Sequence, residues 1–161
     1  MSSPIRVVNE RASSDLAASL LNNYFSELAS RFPEGLRDDP SHAARSDELT
    51  PPSGAFLVTY VDDRPAGCGG LRRLGSATAE IKHMWIDPSM RGQGIGRELL
   101  SALEQSAGQL GYNVVRLDTS QHLNEALGLY RSSGYKEIAA YNENPYAAHW
   151  FEKSLVPPTA R

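Results

Sequence analysis

A glycine-rich segment between a strand-like run and a helical pattern constrains the fold of this chain more than any other feature. It reads Arg-Gly-Gln-Gly-Ile-Gly over residues 91–96. An apolar run over 81–86 precedes it, and apolar residues at helical spacing follow it from Ile95 to Leu110. A strand, a glycine turn and a helix together form an anion-binding unit, because unpaired N–H groups and the helix dipole point into the turn.

The spacing of the glycines excludes two common phosphate-binding motifs. A dinucleotide-binding fingerprint requires Gly-x-Gly-x-x-Gly, but the third glycine position counted from Gly92 is Arg97. A P-loop requires Gly-Lys followed by Ser or Thr, and the sequence contains no such tripeptide. What remains is an arginine followed by three alternating glycines at the start of a helix.

Length and charge narrow the class of protein further. A chain of 161 residues fits one compact domain, which we expect over 1–155, with 156–161 as a frayed tail. The net charge of −3 argues against bulk binding to nucleic acid or a membrane surface. No apolar run approaches the roughly 20 residues that span a bilayer. The single cysteine, Cys68, excludes an intrachain disulfide, so we expect a cytoplasmic protein.

Hydrophobic periodicity and turn residues predict an α+β chain with a mixed, mostly antiparallel sheet of about six or seven strands flanked by about four helices. The predicted strands are 5–8, 55–61, 66–74, 78–86, 113–118, 135–141 and 147–155. The predicted helices are 15–28, the segment that starts at Ile95, 124–132, and a short helix near 41–49 within a long polar loop.

Two segments in this order of elements resemble the GNAT superfamily of N-acetyltransferases. One is Glu-Ile-Lys-His-Met-Trp-Ile-Asp-Pro over 80–88, which leads into the glycine loop. The other is Ala-x-x-Leu-Tyr over 126–130, followed by Gly-Tyr at 134–135. The segment 141–153 is similar to a bacterial branch of the superfamily. The resemblance implies the GNAT fold and an acetyl-CoA-dependent enzyme that acetylates a primary amine by direct transfer in a ternary complex.

The resemblance also implies how coenzyme A would lie along the main chain. N–H groups of the glycine loop would hold the pyrophosphate, and backbone groups around 84–86 would pair with the pantetheine arm like an added strand. One of those N–H groups would polarise the thioester carbonyl. The implied acetyl-CoA site comprises Met84, Trp85, Ile86, Arg91, Gly92, Gln93, Gly94, Ile95, Gly96 and Arg97.

Acetylation of an amine requires a base for the ammonium proton and a proton donor for the departing thiolate. The resemblance places Tyr130 at the departing sulfur and Glu80 as the base, directly or through a water, although a purely structural role stays open for each. We expect no metal. Strand alternation puts His83 on the face opposite Glu80 and Met84, which favours a packed or surface histidine. Cys68 has no visible His partner and is expected to be an inert buried thiol.

In this family the acceptor is held between the first helical region and the last hairpin. We therefore expect a small amine or amino-acid-like acceptor to contact Tyr24, Arg31, Arg37, Tyr141 and Asn144. Either arginine suits a carboxylate of the acceptor. Protein lysines and N-termini stay open as acceptors, and so does a non-catalytic module that senses acyl-CoA. A homodimer is compatible with the resemblance, and we expect neither nucleic acid nor a membrane as a partner.

Overall fold

The computed structural model describes residues 4–32, 44–120 and 123–155. The strands are β1 (Ile5–Asn9), β2 (Ala55–Val61), β3 (Arg64–Arg73), β4 (Thr78–Ile86), β5 (Val114–Thr119), β6 (Lys136–Ile138) and β7 (His149–Ser154). The α-helices are α1 (Asp15–Arg31), α2 (Ile95–Gln109) and α3 (Asn124–Ser132). All seven strands form one sheet in the order β1-β2-β3-β4-β5-β7-β6, in which only β4 and β5 run parallel.

The predicted α+β fold and its order of elements are confirmed, but the expected number of about four helices is not. The described residues contain three α-helices and a 3-10 turn over Pro88–Met90. Residues 46–49 form turns, so the described part of the fourth predicted helix is not helical. Its first residues, 41–43, and the tail 156–161 lie outside the described residues.

The first helix covers one face of the sheet. It begins where Ser14 Oγ accepts a hydrogen bond from the N–H of Ala17 at 3.0 Å, which satisfies one of the free donors of the first turn. Its buried residues pack into a cluster with Phe56, Cys68 and Trp85, which come from three neighbouring strands. This helix therefore forms one wall beside the end of β4.

The second helix covers the opposite face and continues directly from the glycine loop. Its apolar stripe, which includes Leu99 and Leu103, is buried against the centre of the sheet. A Cβ atom on Gly69 of β3 would lie 2.9 Å from Leu103 Cδ1, so a larger residue there would force the Leu103 side chain to shift. The helix start is thereby fixed at the end of β4.

The fourth and fifth strands part in the middle of the sheet. They pair from Thr78 with Val114 to Glu80 with Arg116, and no further pair joins them within the described residues. Each strand continues beyond that point, so a cleft opens between the end of β4 and the end of β5. The candidate active site described below lies around this cleft.

A β-bulge near the end of β4 changes which side chains face which helix. The register with β3 shifts between Cys68 and Gly70, and His83 adopts a positive φ of 57°. Ile81 before the bulge and Met84 after it both pack on the α2 side, although simple alternation would separate them. Glu80 and Met84 therefore lie on opposite faces, and the expectation that they share a face was wrong because the bulge inserts one extra residue.

Candidate active site

The glycine loop presents open backbone at the start of α2. Gly92 and Gly94 have φ values of 85° and 82°, a conformation that glycine adopts at little cost. A Cβ atom at either position would meet nothing within 4 Å, so these residues border open space. Gly94 is the N-cap residue and provides no side-chain cap, which leaves the N–H groups of the first turn available to an anion.

A cavity of about 280 Å³ lies in front of this loop, between α1, the end of β4 and α3. The predicted coenzyme A residues that line it are Met84, Trp85, Ile86, Arg91, Gly92, Gly94, Ile95, Gly96 and Arg97, whereas Gln93 does not. Tyr130 and Tyr24 line it as well. The structure thus gathers most of the predicted acetyl-CoA residues and Tyr130 around one space, whereas the other predicted catalytic residue, Glu80, does not line it. The roles of all these residues stay predictions.

Helix α3 forms a wall of the cavity that the sequence reasoning left out. Leu123, Ala126 and Leu129 line this wall. A Cβ atom on Gly96 would lie 3.3 Å from Leu129 Cδ2, so α2 and α3 meet closely at the glycine loop. The helical spacing of the apolar residues before Tyr130 could have indicated this wall, but the same spacing is typical of any buried helix face.

Two arginines and two glutamates form a charged cluster at the cavity, which we call the rim cluster: Glu27, Arg31, Arg91 and Glu125. Arg91 Nη2 lies 2.8 Å from Glu27 Oε1, and Arg31 Nη2 lies 2.7 Å from both Glu27 Oε2 and Glu125 Oε1. Burial opposes ionisation of Glu27, but hydrogen bonds from Arg91 and Trp85 outweigh it and leave the pKa of Glu27 lowered. The cluster ties α1 to the glycine loop and to α3.

Of the two arginines predicted to bind an acceptor carboxylate, one is described. Arg31 belongs to the rim cluster, where both glutamates already bind its guanidinium. Its predicted contact with the acceptor therefore stays a prediction, and its observed partners Glu27 and Glu125 line the cavity. Arg37 lies outside the described residues.

Tyr130 is buried at the inner end of the cavity. Its ring packs against Tyr135 and Phe151, with centroid distances of 5.8 and 5.9 Å. Its hydroxyl donates a weak hydrogen bond to Met84 Sδ at 3.8 Å. Burial raises the pKa of Tyr130, and the negative charge of Asp118 raises it further. The phenol is therefore protonated at neutral pH and available as a proton donor.

Glu80 lies in the last residue pair that joins β4 to β5, and its side chain is fully buried. Its Oε1 accepts a hydrogen bond from Arg72 Nε at 2.8 Å, and its Oε2 accepts one from the Tyr141 hydroxyl at 2.7 Å. Burial raises the pKa of Tyr141, and the Glu80 carboxylate adds to the rise, so this tyrosine also stays protonated. Because its side chain is fully buried, Glu80 would need a relay to act as a base, and the Tyr141 hydroxyl that it binds is a candidate for that relay.

Asp118 at the end of β5 is a candidate residue that the sequence reasoning missed. Its carboxylate accepts hydrogen bonds from Asn142 Nδ2 at 2.7 Å and from Asn144 Nδ2 at 3.2 Å. Trp150 Nε1 in turn donates to Asn142 Oδ1 at 2.9 Å and orients that amide. Each of two predicted acceptor residues thus binds a carboxylate beside the cleft. Tyr141 binds Glu80, and Asn144 binds Asp118.

His83 is buried against the first helix. Its ring lies 5.3 Å from that of Tyr24 and 5.1 Å from that of Phe25, and its Nε2 accepts a hydrogen bond from the N–H of Ala44. Burial lowers the pKa of His83 to about 3, and the charges of Lys82 and Arg72 contribute. Of the two alternatives that the sequence left open, a packed or a surface histidine, the structure shows the packed one. Because Nε2 is occupied, the neutral ring carries its proton on Nδ1 and has no free lone pair for catalysis.

Cys68 is buried as expected. Burial raises the pKa of its thiol to about 12, which leaves little thiolate at neutral pH. Within residues 4–32, 44–120 and 123–155, no group of three His, Cys, Asp or Glu side chains is placed to hold a metal ion. In the same part of the chain, no helix has the length and apolar character that crossing a membrane requires.

Comparison with known proteins agrees with this geometry. The model of the Acetyltransferase (GNAT) family matches residues 21–135, and the chain therefore belongs to that family of acyltransferases. An uncharacterized N-acetyltransferase of Schizosaccharomyces pombe is 34% identical over 97 residues. That match covers 59% of this chain and 60% of the relative's own length.

Solved structures show the same fold. A crystal structure described as a putative acyl-CoA N-acyltransferase from Klebsiella pneumoniae superposes with a TM-score of 0.76 at 24% identity, covering 94% of this chain and 98% of that one. A GNAT family acetyltransferase from Elizabethkingia anophelis, solved with acetyl-CoA bound, superposes with a TM-score of 0.66 at 22% identity. That match covers 93% of this chain and 97% of the neighbour. At these identities the likeness concerns the fold.

Proposed function

We propose that this chain is an acetyl-CoA-dependent N-acetyltransferase that transfers acetyl directly to a small primary amine or amino-acid-like molecule. The observation that carries the proposal is the cavity that runs from the open glycine loop to the buried Tyr130. One end offers backbone donors for an anion, and the other offers a protonated phenol. An acetyl thioester with a pyrophosphate tail requires both.

The residues of the cavity fit coenzyme A in two respects. The left-handed glycines leave space that side chains would otherwise take, and the start of α2 points its dipole into that space. The edge of β4 beyond Glu80 is not paired with β5, so its backbone can accept an extended arm as an additional strand. Acetyl-CoA would supply the activated acyl group at this site.

Tyr130 would hold the proton that the departing sulfur needs. Its hydroxyl has only a weak hydrogen bond to Met84, so it can turn toward a better acceptor. A phenol has an ordinary pKa of about 10, and burial raises it here, so the hydroxyl carries its proton at neutral pH. The predicted base Glu80 is fully buried and would act through the hydroxyl of Tyr141, to which it is hydrogen-bonded.

Calorimetric titration with acetyl-CoA, with free CoA and NAD as controls, tests the proposal. We expect binding of both CoA species and none of NAD. A panel of amines, amino acids and lysine-containing peptides, assayed for release of the CoA thiol, then tests the acceptor class. Absence of acetyl-CoA binding would contradict the proposal, and turnover with peptides alone would make the chain a protein acetyltransferase.

A non-catalytic sensor of acyl-CoA is the competing interpretation. The variant Tyr130→Phe separates the two, because it removes one hydroxyl and keeps the ring packing. For an enzyme it lowers kcat with little change in the Kd of acetyl-CoA. For a sensor, the wild type binds acetyl-CoA but releases no thiol with any acceptor in the panel.

A further inference from the structure

One lysine of β4 is enclosed by the fold without a partner. Lys82 is only 7% exposed. Its ammonium makes no hydrogen bond and no ion pair with the described residues, whereas Glu80 on the same strand is bound to Arg72 and to the Tyr141 hydroxyl. A lysine that only covers apolar surface keeps its head in water, and lysines are almost never buried unless they are paired. The described chain therefore supplies no anion for Lys82.

A second donor without a partner lies in the next residue. His83 Nε2 accepts the hydrogen bond from the N–H of Ala44, so the neutral ring carries its proton on Nδ1, and that atom is buried without any partner. Across the described residues, the only other buried side-chain atom in this condition is Thr59 Oγ1. Buried polar groups are nearly always hydrogen-bonded, so such an exception calls for an explanation.

Lys82 lies on the face of the sheet that α1 covers. Alternation along β4 puts its side chain on the same face as that of Glu80 and opposite Ile81, which packs on the α2 side. Its partner on β3 is Gly70, and a Cβ atom there would lie 2.8 Å from Leu49 Cδ2. Leu49 belongs to the cluster that packs against α1, so the lysine is enclosed on that side.

The bulge brings His83 to the same face. Its ring contacts those of Tyr24 and Phe25 on α1. In a regular strand, consecutive side chains lie on opposite faces, so without the extra residue His83 would face away from Lys82. Tyr24 also lines the coenzyme A cavity. Two donors without acceptors therefore share one face of β4, beside a residue of the cavity.

This part of β4 connects the predicted acceptor residues to the cavity. Glu80, two residues before Lys82, binds the hydroxyl of the predicted acceptor residue Tyr141. Met84, two residues after Lys82, lines the cavity and contacts the Tyr130 hydroxyl. At about 3.3 Å per residue, Lys82 is within about 7 Å of each along the strand. A charged group held at Lys82 would thus be only a few bonds from the amine of a bound acceptor.

We propose that Lys82 and the Nδ1–H of His83 bind a carboxylate of the acceptor, so that the acetylated amine is an amino acid rather than a simple alkylamine or arylamine. This assignment rests on the proposed function and names its acceptor class. A carboxylate fits because its two oxygens can accept from both donors, and its bond to an ammonium is charge-assisted. Lys82 would take the role predicted for Arg31 or Arg37, of which Arg31 is already bound by two glutamates.

Matched ligands test the carboxylate directly. L-alanine and ethylamine, L-phenylalanine and 2-phenylethylamine, and L-tryptophan and tryptamine differ only in that group. Calorimetry of the CoA-saturated protein requires no turnover. At least one amino acid should bind about 10- to 100-fold more tightly than its amine, which corresponds to one hydrogen bond to a charged group. Equal affinities within all three pairs, or no binding of any amino acid, would overturn the assignment.

Lys82→Met removes the charge and keeps an unbranched apolar side chain. The variant should bind the amino acid no better than its amine, and its affinity for the amine should equal that of the wild type. An unchanged ratio within the pair would overturn the assignment. Lys136→Met removes the same charge from an exposed position on β6 and should leave the ratio unchanged. Should Lys82→Met fail to fold, Lys82→Gln removes the charge as well, and the same ratio decides.

Two further readouts distinguish recognition from structural support. Since Lys82 has no partner in the described chain, Lys82→Met should have an equal or higher urea midpoint, whereas loss of a structural ion pair would lower it. The NMR signal of the enclosed His83 Nδ1–H should shift when the wild type binds the amino acid, but not when it binds the amine. An unchanged signal would contradict the part assigned to His83.

Kinetics keeps this result separate from the proposed function. With acetyl-CoA as donor, Lys82→Met should raise the KM of the amino acid with little change in kcat, because the lost contact is present in the ground state and in the transition state alike. Wild-type protein that acetylates amines and amino acids with equal kcat/KM would support the proposed function and overturn the carboxylate site. Wild-type protein that binds an amino acid through Lys82 but acetylates none would do the reverse.

Discussion

The two halves of the candidate site are built in different ways. The donor half consists of the end of β4, the glycine loop and the facing sides of α2 and α3. It offers mainly backbone groups, and its residues come from two stretches of the chain, 84–97 and 123–130. The acceptor half consists of Glu80, Asp118 and the segment 141–146. It offers side chains held by hydrogen bonds between residues 24 to 61 positions apart.

This difference determines which part of a functional site can be predicted from the sequence. A backbone site must be encoded locally, because glycines, a preceding strand and a following helix have to be adjacent. A side-chain site requires only that the fold bring the groups together, and nothing near Asp118 in the sequence marks it. The donor half is therefore expected to fail through backbone changes, and the acceptor half through loss of single polar atoms.

Gly96→Leu should have the largest effect on the donor half. A Cβ atom there would already lie 3.3 Å from Leu129 Cδ2, and a leucine side chain would extend into the cavity. We expect the Kd of acetyl-CoA to rise more than about 100-fold, since the ligand and the side chain compete for the same space. Gly108→Ala on the same helix, where a Cβ meets nothing within 4 Å, is the control and should bind normally.

Glu80→Ala should produce the largest loss of stability in the acceptor half. It leaves Arg72 and the Tyr141 hydroxyl without their buried partner, and breaking such a pair costs about 3 kcal/mol. Urea unfolding measures this loss. Glu152→Ala removes the more exposed pair with Arg116 and should cost less than about 1 kcal/mol. Equal losses for the two variants would contradict the view that burial sets the difference.

Tyr130→Phe should affect the chemistry where the two halves meet. The hydroxyl makes only a weak contact with Met84, so stability should change little, while kcat should fall by about 100-fold. Steady-state assays with a saturating acceptor, together with acetyl-CoA titration, measure the two quantities separately. A change in Kd without a change in kcat would move Tyr130 from catalysis to binding.

The buried His83, which packs against α1 behind the acceptor half, should make the free energy of unfolding depend on pH. Its pKa is lowered to about 3 in the folded chain, below the ordinary value of about 6.5, so the unfolded chain binds the extra proton between these values. Its contribution is therefore fully present above pH 6.5 and is lost as the pH falls, by up to about 1.4 kcal/mol per pH unit.

Urea midpoints of the wild type and His83→Asn at a series of pH values test this. Asparagine tolerates the positive φ of 57° at this position. The variant should show a shallower decline in acid. Parallel curves would mean that other groups cause the acid sensitivity.

Arg31→Ala should give the smallest change in ligand binding. It shows whether Arg31 serves the donor half, through the Kd of acetyl-CoA, or the acceptor half, through the KM of the acceptor. Because Arg31 balances Glu27 and Glu125 in the rim cluster, its loss leaves excess negative charge near the glycine loop. We expect the Kd of acetyl-CoA to rise only severalfold, and less at high salt, since the site is partly solvent-exposed. A rise in acceptor KM alone would instead support the carboxylate-binding role predicted from the sequence.

The sequence predicted the fold well because the fold depends on local patterns. The same local patterns grouped the glycine-loop residues that line one cavity, whose roles stay predictions. Strands β2 and β4 and helix α3 agree with the prediction at both ends, since alternation, turns and glycine stops mark them. The short helix predicted near 41–49 was wrong in its described part, because the charged and proline-rich composition of this loop suits turns as well as a short helix. Asp118 and the rim cluster were invisible, because their partners come from distant elements.

The bulge at His83 also escaped prediction, since one extra residue in a strand leaves no compositional trace. Because of this extra residue, the alternation of side chains between the two faces of β4 is shifted by one position after the bulge. Removing a single residue there would restore strict alternation and exchange the surroundings of every side chain after it, taking Met84 away from Tyr130 and Trp85 away from α1. For protein engineering, the length of this strand is thus as fixed as its composition, and shortened or chimeric versions must conserve the count between Ile81 and Asp87.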